Sequence, residues 1–149
     1  MRGICEVCGT ETIVSECPST FFPEKTIISC RKCQFNKIEP YQHYVEVIAD
    51  CYDYDLISEK WRNNFETNIL PIFKGKTLKQ VKKDAAKLYK SRTYEYFFEK
   101  SLKYKGDPEE FSEKWRTKWI TYVLEPHNKT WEEFLREHRK AKVEGATNE

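Results

Sequence analysis

The sequence has few of the residues that interrupt regular structure, and it has no long apolar run. Its 149 residues include only five glycines and six prolines, which argues against a disordered or loop-dominated chain. No stretch approaches the roughly 18 consecutive apolar residues of a membrane-spanning helix. The N-terminus, Met1-Arg2-Gly3-Ile4-Cys5, also lacks the apolar segment of a signal peptide. We therefore expect a folded, mainly helical protein of the cytoplasm.

Histidine is also scarce, and this limits the kinds of catalytic site that the chain could build. The three histidines, His43, His127 and His138, are scattered along the sequence. They do not form the paired pattern of a His-Asn-His nuclease. A zinc deaminase would need His-x-Glu followed by Pro-Cys-x-x-Cys, and neither occurs. We therefore expect a binding protein and not an enzyme.

Cysteine is present in a pattern typical of a metal site. Cys5 and Cys8 form one Cys-x-x-Cys pair, and Cys30 and Cys33 form another. Two such pairs place four thiolates at the corners of a tetrahedron, which is the arrangement that zinc prefers. A shell of four cysteines leaves no open position for water, so we expect one structural zinc ion. In a reducing compartment the remaining Cys17 and Cys51 are best interpreted as buried free thiols.

The residues around the cysteines predict a small β module over residues 1–38. Gly9 follows Cys8, where a knuckle turn requires a positive φ. Strands are predicted over residues 10–14 and 26–29, with proline and serine breaking the run between them. Two knuckles joined by a hairpin indicate a zinc finger of the zinc-ribbon or treble-clef type.

Residues 39–144 predict a helical bundle that contains an internal duplication. Ser58-Glu59-Lys60-Trp61-Arg62 recurs as Ser112-Glu113-Lys114-Trp115-Arg116. In each copy the match extends into a proline-containing loop and a second helix, so the repeated unit is a helical hairpin. We predict a connecting helix at about 40–52, repeat one at about 56–91, a linking helix at about 93–104, repeat two at about 108–143, and a frayed tail over 145–149.

The tryptophans follow a helical spacing. Trp61 and Phe65 in the first copy correspond to Trp115 and Trp119 in the second, and each pair is four residues apart. Aromatic stripes of this kind usually pack inward. We expect them in the core of the bundle and not on a base-stacking surface.

Charge is distributed unevenly along the chain, although the net charge is only +2. Residues 74–105 carry eleven basic and three acidic side chains. Within this segment, a helix predicted from Leu78 to about Ser91 places four lysines on one face, opposite its apolar face. Two basic residues of the second copy, Arg136 and Lys140, occupy the positions equivalent to two of these lysines. The four lysines are Lys79, Lys83, Lys87 and Lys90.

A basic face of this kind is typical of proteins that contact nucleic-acid phosphates, although many lysine-rich faces are simply solvated. The acidic residues of segment 39–73 could pair with the lysines and neutralise them. Arg31 and Lys32, inside the second cysteine pair, could also touch phosphate or be ordinary surface residues. The leading hypothesis is weakly sequence-specific binding to nucleic acid through the lysine face.

The motif Cys5-Glu6-Val7-Cys8-Gly9, with Cys30-Arg31-Lys32-Cys33 and Ile38-Glu39-Pro40-Tyr41, resembles the N-terminal zinc motif of small, uncharacterised bacteriophage-type proteins. The resemblance covers about a third of the chain. It implies zinc bound by the four cysteines, a viral accessory role, and the host-cell cytoplasm as location. It leaves two alternatives to nucleic-acid binding, namely an adaptor that binds a host enzyme such as a polymerase or defence protein, and a structural or assembly protein.

Overall fold

A small antiparallel sheet forms the N-terminal part of the computed structural model, which describes residues 1–103 and 108–147. Its strands follow one another in the order β1-β2-β3. Arg2 lies opposite Ile13 in the first pairing, and Val14 lies opposite Cys30 in the second. β1 has only three residues, which is too short for an alternation of polar and apolar side chains to reveal it. The strands are β1 (Arg2–Ile4), β2 (Glu11–Pro18) and β3 (Thr26–Cys30).

The chain after the sheet is mostly helical, and this confirms the coarse fold class expected from the sequence. Seven α-helices lie in the two described ranges, and all of them follow β3. They are α1 (Arg31–Phe35), α2 (Tyr41–Asp50), α3 (Glu59–Asn64), α4 (Leu78–Ser91), α5 (Tyr94–Leu102), α6 (Glu113–Trp119) and α7 (Trp131–Thr147).

Local sequence signals account for where several helices begin. Thr93 caps α5, because its hydroxyl accepts a hydrogen bond from the Tyr96 N–H at 3.2 Å. Pro40 precedes the first helical residue of α2 and occupies the N-cap, one position earlier than predicted. α4 spans the predicted range and buries Val81 and Ala85 on its apolar face.

The two duplicated segments begin in the same way. Ser58 caps α3 by accepting from the Trp61 N–H at 3.3 Å, and Ser112 caps α6 by accepting from the Trp115 N–H at 3.2 Å. A serine at the N-cap satisfies one of the N–H groups that the first turn leaves without a partner. The repeated Ser-Glu-Lys-Trp-Arg sequence therefore forms the same helix start twice.

The two segments also continue alike. After α3 the chain forms a π-helical turn (Phe65–Ile69), and after α6 it forms another (Ile120–Leu124). A 3₁₀ turn containing proline follows each of them, Leu70–Ile72 in the first segment and Glu125–His127 in the second. A threonine hydroxyl then accepts an N–H bond before the long helix of each segment, at 3.2 Å in both cases.

Residues 1–90 form one compact unit, and residues 91–149 form another. The first unit has a single core in which buried cysteines of the sheet module pack with helical residues such as Tyr44, Phe65 and Val81. The boundary predicted at residue 38 therefore lies inside this unit. The cysteine module is too small to bury its own apolar side chains, so it shares the core of the following helices.

The second unit is built around Phe134, which is fully buried. Its ring contacts those of Trp119, Trp131 and His138 at centroid distances between 5.1 and 5.6 Å. His138 is 2% exposed, and its Nε2 lies 3.3 Å from the Ser101 carbonyl oxygen. It is therefore a core histidine.

Of the tryptophans, Trp119 and Trp131 are buried and Trp61 and Trp115 are half-buried. Each of the half-buried pair stacks on the next aromatic of its own helix, Trp61 on Phe65 and Trp115 on Trp119. No tryptophan is exposed.

Some sequence predictions extend beyond the residues that the structure describes. The proposed start of repeat two at Asp107, and the predicted end of the linking helix at residue 104, lie outside them. The predicted frayed tail falls partly within α7, whose backbone is helical to Thr147. In the described ranges, no helix has both the length and the apolar character needed to cross a membrane.

Candidate functional site

The four predicted cysteines come together in one cluster. The sulfur atoms of Cys5, Cys8, Cys30 and Cys33 all lie within 4.8 Å of one another, and the Cys8 and Cys30 sulfurs are 3.9 Å apart. Four sulfurs bound tetrahedrally at about 2.3 Å from a central ion would be about 3.8 Å apart. All six cysteines lie in the described ranges and are free thiols, so no disulfide competes for this arrangement. Cys17 is half-buried and Cys51 is exposed, so the prediction that both are buried is wrong. The cluster could hold a metal ion.

Each cysteine pair is positioned by a short local structure. Cys5 follows β1, and Gly9 closes the first turn at φ 73° with its N–H donating to the Cys5 carbonyl at 2.9 Å. Cys30 ends β3 and is the N-cap of α1, which carries Cys33. The sheet and α1 thus bring together two pairs that are separated by more than twenty residues.

Backbone N–H groups also point at the Cys5 sulfur. Its sulfur accepts hydrogen bonds from the Cys30 N–H at 3.3 Å and from the Cys8 N–H at 3.5 Å. Amide donors pointing at a buried sulfur stabilise its negative charge. A ligand held in this way is prepared for a cation.

The thiols at the two edges of the cluster differ in acidity. Burial acts to raise the pKa of Cys8, but hydrogen bonds with the side chain and backbone of Thr10 and with the Cys5 and Cys33 sulfurs outweigh it and lower that pKa to about 6. Burial raises the pKa of the Cys33 thiol, and the neighbouring Cys30 and Cys5 sulfurs raise it further. A divalent cation among the sulfurs would oppose this second effect, because it favours every thiolate.

The four predicted lysines of α4 are all exposed. In the described ranges, none of Lys79, Lys83, Lys87 and Lys90 forms an ion pair. The acidic segment 39–73 does reach α4, but it does so through Asp55, which lies 3.6 Å from the neighbouring Lys82. The lysine face, defined by these four residues, therefore keeps its positive charge.

Arg136 and Lys140 are exposed on α7 in the second compact unit. They lie one helical turn apart, so both side chains project from the same side of α7. The lysine face belongs to the first unit. The two basic groups predicted from the duplication therefore belong to different units.

A cavity of about 1020 Å³ lies beside the cysteine cluster, and the sequence analysis did not predict it. Cys8, Cys30 and Cys33 form part of its wall, and Arg31 and Lys32 line it as well. Its apolar lining comes from isoleucines of the sheet, of the segment after α1 and of the turns after α3. These are Ile13, Ile38, Ile69 and Ile72.

Asparagine amides add hydrogen-bonding groups to the same cavity. Asn36, Asn64 and Asn68 line it, and the Asn68 amide donates to the Asn64 amide oxygen at 2.9 Å. No aspartate or glutamate is among the described residues that line the cavity. Its wall therefore combines cations, amides and apolar side chains without a carboxylate.

A serine, a glutamate and a histidine also meet in the first unit. Ser19 Oγ donates to Glu39 Oε1 at 2.5 Å, and His43 Nδ1 lies 3.4 Å from Ser19 Oγ. The residue types are those of a nucleophilic triad, but Ser19 is 2% exposed and its hydroxyl donates to the carboxylate instead of to the histidine. Glu39 Oε1 also accepts from the Phe21 N–H at 2.9 Å, so the cluster fixes the loop before β3 against α2.

The cysteine cluster, the cavity beside it and the lysine face are the features from which a function can be inferred. Comparison of the chain with protein-family models, with curated proteins and with solved structures finds no match.

Proposed function

We propose that this chain is a non-enzymatic zinc protein that binds nucleic acid through the lysine face. The observation that carries the proposal is the set of four exposed lysines on one face of α4, none of which forms an ion pair in the described part of the chain. Lysines spaced by one helical turn are about 5 to 6 Å apart, which is close to the spacing of successive phosphates. Such a face can follow a nucleic-acid backbone.

Zinc is the ion that the cysteine cluster suits best. Soft thiolates select zinc over magnesium or calcium, and the sulfur spacing fits a tetrahedral shell. Four thiolates fill that shell and leave no position for a substrate, so the ion would stabilise structure. Because Cys33 lies within α1, directly after β3, the arrangement favours a treble-clef over a zinc-ribbon module.

Specificity for base sequence would be low. Lysine ammonium groups contact phosphate as point charges, whereas base reading usually depends on bidentate arginine, asparagine or glutamine side chains in a groove. The lysine face carries none of these residues. Affinity would therefore come mainly from the release of counterions from the nucleic acid.

The tryptophans give less support to the alternative of a protein-interaction adaptor. A docking surface of that kind normally exposes aromatic side chains near its centre. The four tryptophans are buried or half-buried and pack within their own units. The duplicated hairpins thus do not offer them to a partner.

The test is the salt dependence of binding to single- and double-stranded DNA. For phosphate contacts, the logarithm of the binding constant falls linearly with the logarithm of salt concentration, by about 0.9 per contact on duplex DNA. Reversing two charges in K83E/K87E should lower the affinity and reduce that slope by about 1 to 2. A flat salt response in the original chain would contradict the proposal.

The matched control is K60E/K114E, which makes the same change in net charge at exposed lysines outside the lysine face. It should leave the slope nearly unchanged. R136E/K140E then measures separately whether the second unit contributes to nucleic-acid binding. Equal losses for K83E/K87E and K60E/K114E would show that only net charge matters and would contradict a defined binding face.

A further inference from the structure

Phe35 is the only exposed aromatic side chain in the described ranges, and 85% of its surface is accessible to water. It lies at the C-terminal end of α1, two residues after Cys33. Leaving a phenylalanine ring in water forgoes the stabilisation that burial would give it. The rest of the described aromatic residues are buried or half-buried, so Phe35 stands out as a contact residue.

The surroundings of Phe35 are cationic. Arg31 lies one helical turn before it, and a shallow depression is lined by Arg31, Lys32, Gln34 and Phe35 together. Neither Arg31 nor Lys32 forms an ion pair with a described residue. An exposed ring beside free cations is the combination with which proteins hold single-stranded nucleic acid.

Arg31 and Lys32 also line the cavity beside the cysteine cluster, so the depression and the cavity share a border. Arg31 and Lys32 give the cavity two cations that can contact phosphate, and no described carboxylate lines it. Its asparagine amides can pair with the edge of a base, and its isoleucines can cover an apolar face. A volume of about 1020 Å³ falls at the upper end of the range for ligand sites.

We propose that Phe35, together with Arg31, Lys32 and this cavity, binds an unpaired base and its neighbouring phosphates. This inference rests on the proposed nucleic-acid function and narrows it to single strands. The ring of Phe35 stacks on one base, and the two cations hold the phosphates beside it. A duplex cannot use the site, because its bases are already stacked and paired.

The experiment compares two probes, a short dT oligonucleotide and a strand of equal length in which every nucleotide is abasic. Both carry the same phosphates, but only the first has bases to stack. Replacing the ring in F35A should weaken dT binding by about 5- to 150-fold, the usual effect of losing one stacking contact. Binding to the abasic strand and to duplex DNA should change little, and the salt slope should stay the same.

Two substitutions at the same position separate stacking from a general apolar contact. F35W keeps an aromatic ring and should retain dT binding, whereas F35L keeps the apolar bulk and should lose it as F35A does. V143A removes a similarly exposed apolar side chain from α7 and should have no effect. None of these variants changes Arg31 or Lys32. A divalent ion bound to four thiolates carries a net negative charge, and these two cations would also offset it.

The outcomes distinguish the two proposals. If K83E/K87E weakens binding but F35A and F35L bind dT as the original chain does, the base site is wrong and the lysine face stands. Equal losses on dT and abasic strands would also overturn the base site. If the original chain binds no oligonucleotide, both proposals fail, and selective exposure of Phe35 then points to a protein partner.

Discussion

Asp84 is the only acidic residue of α4, and it links that helix to α2. Its Oδ2 accepts a hydrogen bond from the Tyr41 hydroxyl at 2.6 Å, and its Oδ1 accepts from the Gln80 amide at 2.7 Å. The Tyr41 hydrogen bond is the main cause that holds the pKa of Asp84 below its ordinary value of 3.8. At the scale of single residues, the contribution of this carboxylate to the free energy of unfolding therefore depends on pH.

The native chain binds a proton at Asp84 less readily than the unfolded chain does. The stabilisation that Asp84 provides is therefore complete above pH 3.8 and is lost as the pH falls through the lowered native pKa. We expect the difference in free energy of unfolding between the original chain and Asp84→Asn to shrink from about pH 5 to about pH 2. Urea unfolding across that range measures it. A difference that stays constant for Asp84→Asn across this range would contradict the assignment.

Local chemistry made part of the candidate site predictable, and long-range packing hid the rest. The cysteine spacing and Gly9 are short-range signals, and the structure brings the four sulfurs together with Gly9 at positive φ. The exposure of Phe35 depends on whether any distant element covers it, and no nearby residue encodes that. Glu39 and His43 are four residues apart in the sequence and could have been paired, but Ser19 reaches them from a separate loop.

Paired helix starts are the clearest feature at the scale of elements. Ser58 and Ser112 make the same capping bond in different compact units, to N–H groups 3.3 and 3.2 Å away. Serine to alanine at an N-cap costs about 1 kcal/mol, whereas serine to glycine costs a few tenths. At each N-cap the glycine variant is therefore the control for the alanine variant.

We expect S58A and S112A to lower the free energy of unfolding by about 1 kcal/mol each, and S58G and S112G to lower it by much less. Chemical denaturation followed by circular dichroism provides the measurement. Because the two caps lie in different units, the effects should add in the double variant. If alanine and glycine were equivalent, the serine hydroxyls would not be acting as caps.

The same capping signals explain why helix starts were easier to predict than the turns between them. A threonine three residues before glutamine or glutamate marks the start of the long helix in each repeat, and the hydroxyl bonds are present at Thr77 and Thr130. The π-helical turns after α3 and α6 are rare in proteins and have no comparable sequence signature. Their occurrence in both repeats still ties them to the duplicated sequence.

At the scale of the whole molecule, the cysteine cluster is part of a larger core. Cys5, Cys30 and Cys33 are buried in the same apolar cluster as side chains of α2 and α4, including Ile48 and Val81. The sequence predicted a separate module of 38 residues, because spacing patterns reveal ligands but not the surfaces that cover them. Loss of a bound metal should consequently destabilise residues far from the sulfurs.

We expect chelation, or Cys30→Ser, to release one zinc ion per chain and to reduce amide-exchange protection throughout residues 1–90. Residues of α6 and α7 should remain protected, since they have a core of their own around Phe134. Hydrogen exchange with mass spectrometry resolves the two units, and Cys51→Ser, at an exposed cysteine, is the control. Full protection after metal removal would contradict the structural role, and loss of protection in α6 and α7 would contradict separate cores.

The order of these residues along the chain has a consequence for synthesis. All four clustered cysteines precede α2 and α4 in the chain, so they are translated before Val81 and Ala85, which complete the core that buries three of them. During that interval the thiols are not yet buried by the side chains of α2 and α4. A metal ion captured at this stage would protect the nascent sulfurs from oxidation and would hold the sheet in place until α2 and α4 arrive to close over it.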